Sequence, residues 1–334
     1  MKPPEGADSR LLPHPVTGQK FPTPVPPGSG WPGDPAGSDT PVCRSREDIL
    51  RAAKLATGEL VEWIQEPVER VEDSVEWARE SVGKAHGGTP SIGHAGHSRS
   101  SEEGLPTPLQ KLQAFISVCE ACPRLVGWRR QLGEEKRAAY SDQPYWSRPV
   151  PSFGNPEARR VIVGLAPSGH GSNRTGRNFT GDPSGRWLYR ALFKAGACTR
   201  ETSEAAGDGM EVTGARIIPP VHCAPPQNKP TPTEMETCRQ WFVREMQLIQ
   251  PIAILALGQI GWNSVFQVGA ALGWKGVRPR PKFGHNSSVR VMADWGEVAV
   301  IGCYHPSQRN TSTKLLTEEK LDAAIATFLG AGDR

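Results

Sequence analysis

Hydrophobic and polar positions change rhythm several times along the 334 residues. Residues 1–43 are crowded with Pro and Gly, as in "FPTPVPPGSGWPGDPAG", and have no hydrophobic period. That pattern predicts an irregular or disordered leader that buries no core. From Ser45 to Ser81 apolar residues recur at helical spacing between charges, with an interruption near Pro67. This predicts an amphipathic helical segment over 44–82, attached loosely to the surface. Residues 83–106 ("GKAHGGTPSIGHAGHSRSSEEGLP") read as a flexible linker, and the irregular spacing of His86, His94 and His97 argues against a metal site there.

Beyond the linker the rhythm alternates between the periods of helix and strand, which places one folded domain over 107–330. "LQKLQAFISVCEAC" predicts a helix ending at Pro123. "RRVIVGLAP", "ARIIPPVHC", "IAILALG" and "EVAVIGCYHPS" are short, apolar and β-branched, and predict strands. Helices are predicted between and after them at "GRWLYRALFKAGA", "TPTEMETCRQWFVREMQLIQ", from about Gln259, and at "LTEEKLDAAIATFLG". The second of these opens with a capping box, Thr231 and Glu234, and a proline in its first turn. Strands alternating with helices make an α/β domain with a mostly parallel sheet. Ligands of such sheets sit at the carboxyl ends of the strands. Here those ends carry "GLAPSGHGSNRTGRNFTGD", "HCAPPQN" and "CYHPSQRNT", three polar Gly/Pro-rich loops converging on one edge.

Charge sharpens the division. Up to Pro106 there are 11 Lys and Arg against 16 Asp and Glu, a net −5; from Thr107 on there are 28 against 19, a net +9. A basic domain behind an acidic extension suits a binder of phosphate backbones. No apolar run approaches the ~20 residues of a membrane span. The first thirty residues lack the apolar core of a signal peptide, so the expected setting is the cytoplasm.

Seven cysteines in a reducing compartment suggest metal or cluster ligation rather than disulfides. Cys119 and Cys122 form a C-x-x-C, and Cys238 follows Cys223 by fifteen residues. Two such pairs can close a tetrahedral zinc site or hold a [4Fe–4S] cluster, and the donor set alone does not choose between them. The remaining three read as ordinary residues, Cys43 in the leader and Cys198 and Cys303 as small buried ones.

The three loops together with the four cysteines resemble the family 5 (type B) uracil-DNA glycosylases, bacterial and archaeal members of the uracil-DNA glycosylase superfamily. The resemblance covers roughly Leu109 to Phe328, and "HPVTGQKFPTPVPPGSGWPGDPA" is similar to the leader of actinobacterial members. It implies a three-layer αβα fold around a four-stranded, mostly parallel sheet. It also implies a structural [4Fe–4S] cluster on Cys119, Cys122, Cys223 and Cys238. The implied activity is monofunctional excision of uracil from DNA, with hypoxanthine and other deaminated bases as further substrates, by a monomer. The rival readings are a non-catalytic iron–sulfur nucleic-acid binder of the same fold and a zinc-structured hydrolase of small nucleotides.

Excision requires a flipped nucleotide, a stacking surface, donors to the base, and a carboxylate near the sugar. Phe179 is the natural stacking ring. Asp182 resembles the family's catalytic carboxylate, with capping of the following helix as the competing role. His305 resembles the superfamily histidine that hydrogen-bonds the departing base. Asn310 and Asn228 are candidate readers of the base edge, since an amide both donates and accepts. His170 and Asn173 shape the loop first and contact the base second. Ser307, Thr311 and Arg174 are candidate backbone contacts, with Arg177, Arg124, Arg129 and Arg130 as further candidates. Two departures from the family pattern stand out: Lys314 and Leu315 after "HPSQRNT", and His222 where an arginine is usual.

Overall fold

The computed structural model describes residues 11–58 and 105–332. The expectations for the rest of the helical segment, from residue 59, and for nearly all of the linker lie outside the described residues. Four strands, β4 (Arg160–Val163), β5 (Arg216–Ile218), β6 (Ala253–Leu257) and β8 (Gly296–Cys303), run parallel in the order β5-β4-β6-β8. These are the four strands the periodicity predicts. Two antiparallel edges widen the sheet to six: β3 (Phe153–Gly154) beside β5, and β7 (Ser288–Ala293) beside β8.

Alternation along each strand sorts the core into two layers. Ile162, Ile217, Leu255 and Ile301 face one side, against Leu188 and Leu192 of α5 (Pro183–Lys194) and Leu321, Ile325 and Phe328 of α9 (Glu318–Leu329). Val161, Val163, Ile254, Ala256 and Val300 face the other, against Phe242 and Met246 of α6 (Pro232–Ile249) and Trp262 and Phe266 of α7 (Gly258–Ala271). A period of two in buried strands requires helices on both faces, which gives the three-layer αβα architecture. The capping box of α6 forms as predicted, with Thr231 and Glu234 each accepting the other's backbone N–H.

The helix predicted to run to Pro123 stops earlier. Helix α2 (Pro108–Ser117) ends before the C-x-x-C, and Pro123 instead opens α3 (Pro123–Glu135). Proline lacks an N–H and presets φ, so it suits a helix start as well as a stop. Cys119 and Cys122 therefore sit in the turn between two helices.

The leader departs most from expectation. Among its described residues the backbone is irregular apart from a hairpin of two-residue strands, β1 (Leu12–Pro13) with β2 (Lys20–Phe21). Yet Phe21, Val25 and Trp31 are buried against Trp146, Val150 and Ala206. Trp31 Nε1 donates to Thr175 O at 3.1 Å, and Arg148 pairs with Asp34. A proline-rich segment can pack without periodicity when another surface supplies the core. Helix α1 (Arg46–Thr57) is likewise seated firmly, burying Ile49, Ala52, Ala53 and Ala56 against Leu112, Phe115 and Ile116. Among the described residues no helix is long and apolar enough to cross a membrane.

Candidate active site

The loop after β4 is held in one shape by a dense set of bonds. The hydroxyl of Ser168 donates to Asp182 Oδ2 and accepts from Ser172 N at 3.2 Å. Asn178 Nδ2 donates to Pro151 O at 2.6 Å, and Tyr189 Oη donates to Asn178 O at 2.6 Å. Thr180 and Ser203 share a hydroxyl bond at 2.7 Å. The short helix α4 (Ser172–Thr175) ends in a left-handed Gly176. Phe179 itself has φ 54°, a strained position for an aromatic residue. Its carbonyl packs so closely on Gly185 that a Cβ there would stand 1.7 Å from the oxygen. Glycine at 185 is thus what lets α5 start where the Phe179 turn ends.

Asp182 caps α5. Its Oδ1 accepts the Gly185 N–H at 2.8 Å, and φ −141° with ψ 162° is the extended geometry of an N-cap. The competing role is therefore real, but it occupies one carboxylate oxygen. The other faces Ser168. Burial raises the carboxyl above the ordinary aspartate range, opposed by the Ser168 hydroxyl and by the Gly185 and Ser184 N–H groups.

His305 follows β8 by two residues. Its ring lies 6.0 Å from that of Phe179, centroid to centroid, with the planes 30° apart. Its Cβ packs against Gly258, which has φ 78° and opens α7. Burial lowers the imidazole pKa to about 4, so it is neutral at pH 7. The positive end of the α7 dipole beside it disfavours the imidazolium further. Asn310, on α8 (Gln308–Ser312), donates its Nδ2 to His305 O at 2.9 Å. It clasps the backbone that carries the imidazole. Ser307 precedes α8, and its carbonyl accepts from Asn310 N, Thr311 N and Thr311 Oγ1. Both Ser307 and Thr311 are half-buried on the same loop.

Several predicted residues lie elsewhere. Asn173 is fully buried and donates to Arg129 O at 3.3 Å, so it is part of the scaffold and not a base contact. His170 bonds Tyr145 Oη through Nδ1 at 3.1 Å. Asn228 is exposed in a turn with φ 56°. Arg174 is buried, with Nε on His170 O, Nη1 on Gln143 Oε1, and its guanidinium 4.0 Å over the Tyr140 ring. A guanidinium so engaged is not available to a phosphate. Arg177 is buried against Thr180, Ser203, Ala205 O and Asp208. Arg129 is buried too, Arg124 pairs with Glu234, and Arg130 pairs with Glu120. His222 is buried, its Nδ1 on Val150 O at 2.8 Å and its Nε2 facing Glu245. Ser168 is a site residue that sequence reasoning misses; a serine beside Gly and Pro, as in "GLAPSG", is too common in loops to stand out.

Cys119, Cys122, Cys223 and Cys238 belong to one apolar cluster with Leu125 and Trp241. Burial and the neighbouring Cys223, Cys119 and Cys122 raise the Cys238 thiol, opposed by the His222 N–H. Arg129 Nη1 points at Cys223 Sγ (3.2 Å), and His222 N at Cys238 Sγ (3.4 Å). Donors aimed at sulfur suit ligated thiolates better than neutral thiols. Among the described residues no group of three or more His, Cys, Asp or Glu is disposed around a single metal ion. Two small cavities, of about 180 and 140 Å³, lie along the leader and are not lined by Phe179, Asp182 or His305.

Residues 151–329 match the family model described as the uracil DNA glycosylase superfamily. The chain is 42% identical over 311 residues to the type-5 uracil-DNA glycosylase of Mycobacterium tuberculosis, covering 92% of this chain and 95% of the relative. It is 42% identical over 212 residues to the type-5 enzyme of Thermus thermophilus, covering 62% and 92%. To the type-4 enzyme of Archaeoglobus fulgidus it is 31% identical over 160 residues, covering 47% and 70%.

Proposed function

The chain belongs to the uracil DNA glycosylase superfamily, and we propose that it hydrolyses the N-glycosidic bond of deoxyuridine in DNA to leave an abasic site. The observation that carries this reading is the meeting of His305, after β8, with Phe179 on the loop whose end is Asp182. The target nucleotide must leave the stack to be reached. Phe179 then offers it a face. The anionic Asp182 carboxylate stabilises positive charge growing on the sugar and accepts a proton from the attacking water. Neutral His305 donates a hydrogen bond to the base oxygen as negative charge develops there, and no proton need be transferred.

We infer broad substrate use from where the candidate amides point. With Asn173 turned into the scaffold, Asn310 clasping a carbonyl and Asn228 exposed, few amides remain to demand a pyrimidine edge. This supports hypoxanthine and related deaminated bases as further substrates. We also assign a [4Fe–4S] cluster to Cys119, Cys122, Cys223 and Cys238; when bound it supplies a structural cross-link between the α2–α3 turn, the loop after β5 and α6.

The test is a uracil-containing oligonucleotide incubated with purified protein and then alkali. A nick at uracil, and at hypoxanthine in a second substrate, is expected. An intact strand from protein carrying about four irons would favour a non-catalytic binder.

A further inference from the structure

The arginines of the loop after β4 face inward, so a DNA strand needs another source of positive charge at this edge. Such a source lies in "KGVRPRPKFGH", residues 275–285, which enters β7. From Met246 to Ala293 the chain has no acidic residue, and it has none from Val298 to Thr317. Arg278, Arg280 and Lys282 are exposed, and none has an ion-pair partner among the described residues.

The register fixes where this charge goes. β7 pairs antiparallel with β8, Ser288 opposite Ile301, so the residues just before β7 continue past the carboxyl end of β8. Asn286 N donates to Gly302 O at 2.6 Å, and Tyr304 N donates to His285 Nδ1 at 3.2 Å. The His285 ring stacks on Tyr304, 4.9 Å away at 12°. Trp262 Nε1 donates to Pro281 O at 2.9 Å, and Phe283 packs on Trp262 and Tyr304. The stretch begins toward the amino end of β8, where Lys275 pairs with Met292 opposite Glu297, and runs along β7 to Phe283 and His285, which pack on Tyr304; Lys282 thus lies nearest His305 and Arg278 farthest, and two prolines stiffen the run. On the other side of His305, α8 and its end expose Arg309 and Lys314.

We propose that Arg278, Arg280 and Lys282 form a phosphate-binding rail that holds the DNA strand as its nucleotide enters the site of Phe179 and His305. This rests on the reading of the chain as a DNA glycosylase. A row of unpaired cations leading along β7 toward the reacting base neutralises backbone phosphates, and each neutralised phosphate steepens the salt dependence of binding by about 0.9 in log–log slope.

The experiment measures binding of the full chain to uracil-free duplex DNA across a salt series. The variants are Arg278→Gln/Arg280→Gln/Lys282→Gln together and Lys282→Gln alone. Arg159→Gln, just before the amino end of β4 and so at the opposite end of the strands, is the control. The triple variant should lose about 2 to 3 units of slope and Lys282→Gln about 1, while Arg159→Gln keeps the wild-type slope. Wild-type slope in both rail variants overturns the rail. Failure of the wild type to cleave uracil-DNA would count against the glycosylase reading, and the slopes would still decide the rail.

Discussion

Two arginine-bearing loops meet at the same edge of the sheet and use their charge in opposite ways. The loop after β4 turns Arg174 and Arg177 inward, onto carbonyls, hydroxyls and Asp208. The loop before β7 leaves Arg278 and Arg280 in solvent, with no acidic residue near them in sequence. In the first the guanidinium is a multi-donor brace that shapes the turn presenting Phe179 and Asp182. In the second the absence of counter-charge leaves a field for a partner. An arginine in a site loop is evidence for DNA contact only once its acceptors have been counted.

The largest effect should come from the inward loop. Arg177→Ala leaves Asp208 without its buried partner and strips donors from Thr180, Ser203 and Ala205 O. Denaturant unfolding should register a loss of about 3–5 kcal/mol. A loss below about 1 kcal/mol would erase the contrast between the loops. His305→Gln should come next, lowering single-turnover excision about 10²–10³-fold through loss of a preorganised donor.

The smaller effect is on stability against pH. An unfolded histidine takes up a proton below about pH 6.5, while folded His305 resists until about 4. The folded state therefore binds fewer protons in that window, and stability falls as pH drops through it, then levels off. The difference amounts to about 2 kcal/mol after allowance for partial exposure. Thermal unfolding of His305→Gln should be less acid-sensitive than wild type between pH 6.5 and 4; parallel curves would contradict the buried neutral imidazole.

The layers of the fold are legible because a period of two and a period of 3.6 each demand a particular partner surface. The edge strand β7 is not among the predicted strands, although Val289 and Val291 alternate with polar neighbours and "ADWGE" supplies a turn. Its exposed face carries Ser288, Arg290 and Met292, which dilute the apolar signal. The core of the leader is illegible for a different reason: Phe21, Val25 and Trp31 pack on residues over a hundred positions away, and no local period reports that. Phe179, Asp182 and His305 stand out as candidate site residues from motif and resemblance. The fates of Asn173 and Arg174 are not, because sequence names donors and leaves out the direction each side chain takes.

Central to the account is that Asp182 does more than cap α5. Asparagine is as good an N-cap as aspartate, so Asp182→Asn keeps the cap and removes the charge. Burial of the ionised carboxyl is itself unfavourable, so the variant should unfold no more easily than wild type at pH 7. The deciding measurement is single-turnover excision of uracil from DNA by Asp182→Asn, with binding to abasic DNA measured alongside. The account predicts a loss of at least about 100-fold in rate with abasic-DNA binding retained. A wild-type rate would reduce Asp182 to a helix cap and remove the carboxylate from the mechanism.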